Sequence, residues 1–478
     1  MQLERKRRQL AKAFVFLASL WAPFFCQKSN AALEQSQDRY TLGLQSFGYL
    51  GTAQLASEGK NVVLPGVFGS VKWSDVGEQF EGAVKAEGFL SATGIENSYV
   101  LVEELYLASS RKWNPNQFSI GRRLFSYSDI DEDWQIGLFQ TRGRWDHFNP
   151  RQQGLSGFFY SRKIKNLQYS IYFSPLFIPE QASDCNVNNE TGEIQCSNPF
   201  DKLPPTEKGV TEGDSNALPI RYSLNTSDII DEVIVKAGGG GRLRIGGEQG
   251  VYSRAAYAYK PVNQVLISYD PYTEASSEKA LQVQLYPRVL YHHAFAWDLG
   301  YQESSWKLWT GTLGDFVVQD ETVPIHVNQE ISDSVFFSVG GQRTFYGVGF
   351  GSITLEGSYL KRVGGVEPDS GDLTTGRHSL FETRFQFTEA VKASLRFQNR
   401  KGRDFLKLSA SYDFPIQGTL LSAEWSYQPR DAWRIFLGGE LVGVGPTGDG
   451  DLFESGGTNW FARIRGTDRI RGGVTYAF

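Results

Sequence analysis

Methionine occurs once in the 478 residues, at the start, cysteine three times and histidine five times. Beyond residue 31 no stretch approaches the roughly 18 apolar residues a membrane-crossing helix needs, so a helical membrane bundle is excluded. No Gly-x-Ser-x-Gly elbow and no His-Glu-x-x-His pair is present, which removes two common hydrolase designs. His292 and His293 are neighbours on a strand-like segment, so their side chains point to opposite faces and cannot share one metal. The run 238–241 (GGGG) lacks the Lys-Ser/Thr of a phosphate cradle and reads as a hairpin turn between strand-like stretches 231–237 and 242–247. The acidic group Asp129, Asp131, Glu132 and Asp133 reads as an exposed loop rather than a metal site. No catalytic residues, metal or cofactor are expected, and the chain is read as a non-enzyme.

The chain opens with a basic stretch, Arg5, Lys6, Arg7, Arg8 and Lys12, followed by apolar residues 13–26. Fourteen residues of helix reach about 21 Å, short of a hydrocarbon core of roughly 30 Å. With Ser29-Asn30-Ala31 offering small residues to a peptidase, residues 1–31 read as a secretory signal peptide and 32–478 as the mature domain. That leader carries six Lys/Arg and one acid, so its removal takes the net charge from −5 to −10. An acidic chain is not expected to bind nucleic acid. Of the remaining cysteines, Cys185 and Cys196 lie close together in a polar segment without histidine. An oxidising compartment favours a loop disulfide between them over a metal pair.

What the chain has is aromatics (14%), glycine (51) and alternation of period two. In 405–414, Leu406, Leu408, Ala410, Tyr412 and Phe414 share one face, while Lys407, Ser409, Ser411 and Asp413 share the other. The same pattern runs through 79–90, 167–173, 381–387, 391–398 and 421–427. Short turns such as 401–403, 415–418 and 429–431 make the order an antiparallel meander. Aromatics at strand ends (Tyr412, Phe414, Trp425, Tyr427, Trp433) suit interfacial girdles, and an uncovered apolar face needs lipid. The expected fold is therefore all-β: a closed antiparallel transmembrane β-barrel. At roughly 25 residues per strand, the mature chain supplies about 18 strands, in a range of about 16–20. A long loop, 175–227, holds six prolines and the cysteine pair, and is either a constriction or a surface loop.

Counting back in twos from Phe478 gives Tyr476, Val474, Gly472 and Ile470, with Arg471, Gly473 and Thr475 on the other face. This ending resembles the C-terminal signal of Gram-negative outer-membrane β-barrels, with Tyr476 and Phe478 as its aromatic pair. The resemblance implies a cell outer membrane location, recognition by the barrel-assembly machinery, and a porin-like barrel in contact with outer-membrane lipid and hydrated solutes, as a monomer or homotrimer. Residues 103–125, a strand, a turn and Ile120-Gly121-Arg122-Arg123, resemble more weakly the first hairpin of alginate-export-type porins, which implies an anionic polysaccharide as one class of cargo.

Strand parity nominates the lumen residues: Lys85, Glu87, Glu382, Arg384, Lys392, Arg396, Lys407, Glu424, Arg434, Glu440 and Arg471. Arg122, Arg123, Arg142, Arg144, Arg151, Arg162, Lys163 and Lys165 form the most basic stretch. They are either an arginine ladder for carboxylate or phosphate solutes or charge solvated beside turns. The expected function is a porin-like channel for passive passage of small polar or anionic solutes. The alternatives are a conduit for an anionic polysaccharide, or a barrel that anchors surface loops for adhesion. If 458–466 is a strand, 444–457 lies at the periplasmic end; otherwise it belongs to one long final excursion.

Overall fold

In a computed structural model of the chain, the described residues are 39–478 apart from 51–61, 95–96, 111–114, 182–184, 189, 197–206, 209–217, 228, 274–279, 319–326, 349–350, 366–377, 380–383, 400, 416, 444–459 and 465–466. The expected leader, 1–31, lies outside them, as do Phe381 and Glu382. Eighteen antiparallel strands form one sheet, each hydrogen-bonded to the next in the chain, from Arg39–Tyr49 to Arg469–Ala477. The sheet closes where Thr41 pairs with Ala477 and Tyr49 with Arg469. Closure leaves no sheet edge unpaired, which lipid demands because it offers the backbone no hydrogen bonds.

The alternation places the side chains as expected. Leu42, Leu44, Ile120, Ile171, Val339, Leu437 and Ile470 point outward and are exposed around the circumference. Their neighbours along the backbone face the lumen. This is a closed β-barrel of the transmembrane kind, greasy outside and polar within. At the outer rim beside the C-terminus, Trp433 packs edge-on against Tyr476 at 5.0 Å, and Tyr476 against Phe478 at 4.9 Å.

The two ends of the barrel differ. Connections at the end holding the C-terminus are short: 77–79, 110–115, 165–166, 247–249, 303–305 and 431–432. The opposite end carries 124–154, 175–237, 262–290, 365–388 and 444–468. Outer-membrane barrels keep short turns at the periplasm and long loops outside. The hairpin Cys185–Val187 with Ile194–Cys196 and the strand Leu218–Leu224 belong to this outer end. Leu218–Leu224 joins a six-stranded accessory sheet built from several loops. Cys185 and Cys196 are direct backbone partners in the hairpin.

Several sequence expectations are corrected. The glycine run is not a turn: it opens the strand Gly238–Gly246, paired with Leu167–Ser174. A β-carbon at Gly240 would lie 2.9 Å from Tyr172 Cε1, so glycine makes room there for an inward ring. Within 231–237 there is a single π-helical turn, Ile230–Ile234, not a strand. The alternation at 381–387 does not mark a barrel strand: in its described part, 384–387, Phe385 and Phe387 are buried inside. The stretch 458–466 contains a helix, Trp460–Ile464, so the final strand is preceded by one long excursion from the outer end.

Candidate functional site

The lumen is occupied on one side by the chain itself. Residues 124–154, which link Asn116–Arg123 to Leu155–Ile164, fold into the barrel instead of over it. The acidic group expected on an exposed loop is a short helix, Asp129–Asp133, in which Asp129 and Asp131 are buried and Glu132 is exposed. Ser128 caps it by accepting from the Ile130 N–H at 3.1 Å. Asp298, inward on Tyr291–Gln302, accepts from the Ser128 hydroxyl and the Asp129 N–H, both at 2.9 Å. Asp129 lies between Tyr252 Oη and Lys307 Nζ, each 2.8 Å away, with Arg254 at 3.8 Å. Burial pushes the Asp129 carboxyl up, but Arg254 and Lys307 outweigh it and hold the group below its ordinary range. Asp131 accepts from the N–H groups of Gly137 at 2.6 Å and Leu138 at 3.2 Å, closing the turn after the helix. The Trp134 indole donates to Ser338 Oγ at 3.0 Å.

The wall behind this segment is made of small side chains. Ala256, Ala258, Ala294 and Ala296 are inward and buried against it, in one cluster with Ile130, Leu138 and Phe139. Two other excursions meet it. Phe387 packs edge-on against Trp134 at 5.2 Å and Phe461 at 5.7 Å, and Phe385 packs on Phe336. Sequence parity marks these alanines as inward. Small inward residues repeated on adjacent strands were the signal that something must fill the space.

Arg122, Arg123, Arg142 and Arg144 do not form a ladder. Arg123 is buried, donating to Ser119 Oγ at 2.7 Å and Gln117 Oε1 at 2.8 Å, and it lies over the Tyr106 ring. Arg122 donates to the Gly154 carbonyl at 3.0 Å. Arg142 donates to the Asp131 carbonyl at 2.9 Å, and Arg144 pairs with Glu180. Lys163 pairs with Glu248 of the next short turn, and Arg162 shares the outer face with Phe158 and Tyr160. These cations serve packing and interface, because the segment that carries Arg142 and Arg144 is inner wall, not strand.

The parity residues of the strands from Glu389–Asn399 onward face inward, whereas Arg384 reaches the interior from the excursion 365–388 and not from a strand. Arg384 pairs with buried Asp315, whose other oxygen contacts His292 Nδ1 at 2.5 Å. His293 points out and meets Tyr257 Oη at 2.7 Å, so the histidine pair divides as expected. Lys392 pairs with Asp133 of the inner helix. A chain of alternating charge then runs from the inner segment across three strands. Asp146 contacts Arg469 at 2.7 Å, and Arg469 contacts Glu440 at 2.9 Å. Glu440 contacts Arg471 at 3.0 Å, Arg471 contacts Glu424 at 2.6 Å, and Glu424 contacts Arg434 at 3.0 Å. Burial raises the Asp146 carboxyl, but Arg469 and Arg471 overcome it and leave it below its usual value.

The apolar packing runs from Leu155–Ile164 round to Gly351–Gly364. On the remaining strands some inward charges keep solvent, Arg434 being 51% exposed and Lys85 39%, as does Arg151 of the inner segment, which pairs with Glu87. Arg396 and Lys407 are exposed as well. The result is a charged vestibule toward the short-turn end. Trp145 of the inner segment packs on Tyr99 at 4.6 Å and Phe47 at 5.7 Å.

No protein-family model matches the chain, and no curated protein is similar to it in sequence. Among solved structures it is similar to Wzi, a carbohydrate-binding outer-membrane β-barrel involved in group 1 capsule assembly in Escherichia coli. That similarity has a TM-score of 0.44 and 11% identity over 93% of this chain and 85% of that one. It is also similar to OmpF of Salmonella typhi, with a TM-score of 0.39 and 11% identity over 92% and 97% of the two chains. A loop-deleted OmpT of Vibrio cholerae gives 0.38 and 9% over 92% and 98%.

Proposed function

We propose that this outer-membrane β-barrel is a porin-like conduit for passive passage of small polar or anionic solutes, bored along one side of its lumen. The observation that carries this reading is the asymmetry of the interior. The apolar packing of 124–154 lies against the strands from Leu155–Ile164 onward, while Lys85, Arg396, Lys407 and Arg434 on the remaining strands keep contact with water. Hydrated charges in a wide barrel cost little and set the field a passing ion meets. In this reading 124–154 narrows the bore, and its Arg144 pairs with Glu180 at the start of the 175–227 loop. The reading assigns no catalytic step, so a purified protein that hydrolysed a lipid or peptide would overturn that part of it.

The test is conductance in a planar bilayer. The wild-type protein is expected to show small, steady channels. Replacing residues 126–152 with a short glycine-serine linker is expected to raise unit conductance severalfold.

A second reading, a barrel that anchors its outer loops for adhesion or contact, is favoured by the apolar contacts Phe387 makes with Trp134 and Phe461 across the interior. It predicts no conductance from the wild type and channels only after the deletion. An anionic-polysaccharide conduit needs the same basic interior, but the hairpin arginines Arg122 and Arg123 cannot serve it as they are placed.

A further inference from the structure

Reading the strand registers around the barrel brings one row of inward positions to a single height. Thr354 pairs with Arg396, Arg396 with Lys407, Lys407 with Glu424, Glu424 with Gly438, and Gly438 with Arg471. Arg396 and Lys407 are thus directly opposed on neighbouring strands, both facing the lumen and both exposed. Like charges at such a position, about 5 Å apart at the β-carbons, repel and destabilise the sheet.

The acids nearby are engaged elsewhere. Glu424 is shared by Arg434 and Arg471, and Glu440 by Arg469 and Arg471. Glu356 accepts from the Ser394 hydroxyl at 3.1 Å, and Asp133 takes Lys392. Among the described residues, Arg396 and Lys407 make no close hydrogen bond or ion pair; Glu424, the register partner of Lys407, and Glu356 act on Lys407 only at longer range.

The same strand shows how such a cation is satisfied. Lys392 stands four residues from Arg396, about 13 Å nearer the outer end, and there a carboxylate of the inner helix occupies it. Nothing of the described chain reaches Arg396 and Lys407 in that way. A guanidinium offers paired N–H donors and a lysine a point charge, and together they match an oxyanion with two or three acceptor oxygens.

We propose that Arg396 and Lys407 form an oxyanion-binding site on the lumen wall of the vestibule, for a soluble solute bearing a carboxylate, sulfate or phosphate. This deepens the conduit reading and rests on it for the route by which the solute arrives. The opposed cations are the recognition element, and Glu424 and Glu356 on either side confine it to a single position.

The experiment uses full-length protein in detergent and in planar bilayers, with inorganic phosphate as the probe. Calorimetric titration of the detergent-solubilised protein with phosphate is expected to show saturable binding, weakened at least about tenfold in Arg396→Gln/Lys407→Gln and retained in Arg396→Lys/Lys407→Arg. In bilayers, phosphate is expected to block chloride current in the wild type and in the charge-retaining variant, but not in the neutral one. Heat-modified mobility on a gel establishes that each variant is folded. If the neutral variant does not fold, equal phosphate affinity in wild type and in the single variant Lys407→Gln overturns the site. Conductance without phosphate binding overturns the site and leaves the conduit standing. Phosphate binding that tracks these two residues without any conductance sustains the site and overturns the conduit.

Discussion

Gly438 shows how one missing side chain organises charge inside the barrel. It is the register partner of both Glu424 and Arg471, and the Arg471 side chain lies across it to reach Glu424 and Glu440. A β-carbon there would stand 3.2 Å from Arg471 Nε and 3.3 Å from its Cγ. Gly438→Ala is therefore expected to displace the guanidinium and cost about 1–3 kcal/mol. The check is the temperature at which the folded band shifts on a gel, compared with Gly443→Ala, whose nearest neighbour would be 3.6 Å away. Equal shifts would mean that the alternating ladder contributes nothing at Gly438. The cost is not a surface-pair effect, because Glu440 and Arg469 are each about 1% exposed, and a buried charge that loses its partner is expensive.

Among the elements, the inner segment and the hairpin 185–196 have opposite roles. The segment is held by a capped helix, a buried tryptophan and ion pairs to five strands, so it is part of the barrel's core. The hairpin lies at the outer end, where the Gly192 carbonyl accepts from the Tyr222 N–H at 2.8 Å, tying it to the accessory sheet. Cys185 and Cys196 are backbone partners in the hairpin, and an oxidising compartment is expected to join them by a disulfide. Thiol labelling of the exported protein without reductant is expected to find neither cysteine free. Deleting 185–196 is expected to leave conductance and ion selectivity unchanged. A change in either would return the constriction to the 175–227 loop.

At the scale of the whole molecule, the inner segment should respond to acid in two stages. Glu180, which pairs with Arg144 of the segment, is raised by burial, so it costs stability while ionised, and that cost is relieved as pH falls toward its raised folded value. Asp146 is held low by Arg469 and Arg471. It contributes stability at pH above its unfolded value of about 4, and that contribution is lost as pH falls through the lower folded value. Mild acid should therefore leave the segment seated, and only pH below about 4 should release its Asp146 end. The readout is unit conductance, flat from neutrality into mild acid and rising below that threshold. Asp146→Asn is expected to show the high conductance already at neutral pH. A conductance that rises steadily from pH 7 would contradict the assignment.

Much of this was legible in the residues. Period-two alternation with aromatics on one face determined a closed barrel with lipid outside and water within, because a strand has only two faces and lipid leaves no backbone group unpaired. The strand count of about 18 follows from chain length at roughly 25 residues per strand, and the inward placement of Lys392, Arg396, Lys407, Glu424, Arg434, Glu440 and Arg471 follows from parity. The fate of the connections does not. Residues 124–154 and 384–387 carry charge and aromatics in patterns that suit a loop or a strand equally, and only the cavity offered by Ala256, Ala258, Ala294 and Ala296 draws them inside. The pairing of Arg396 with Lys407 likewise required the register between strands. Sequence sets which face a side chain takes, but the hydrogen-bonded offset of neighbouring strands, fixed only when the sheet closes, sets what stands opposite it.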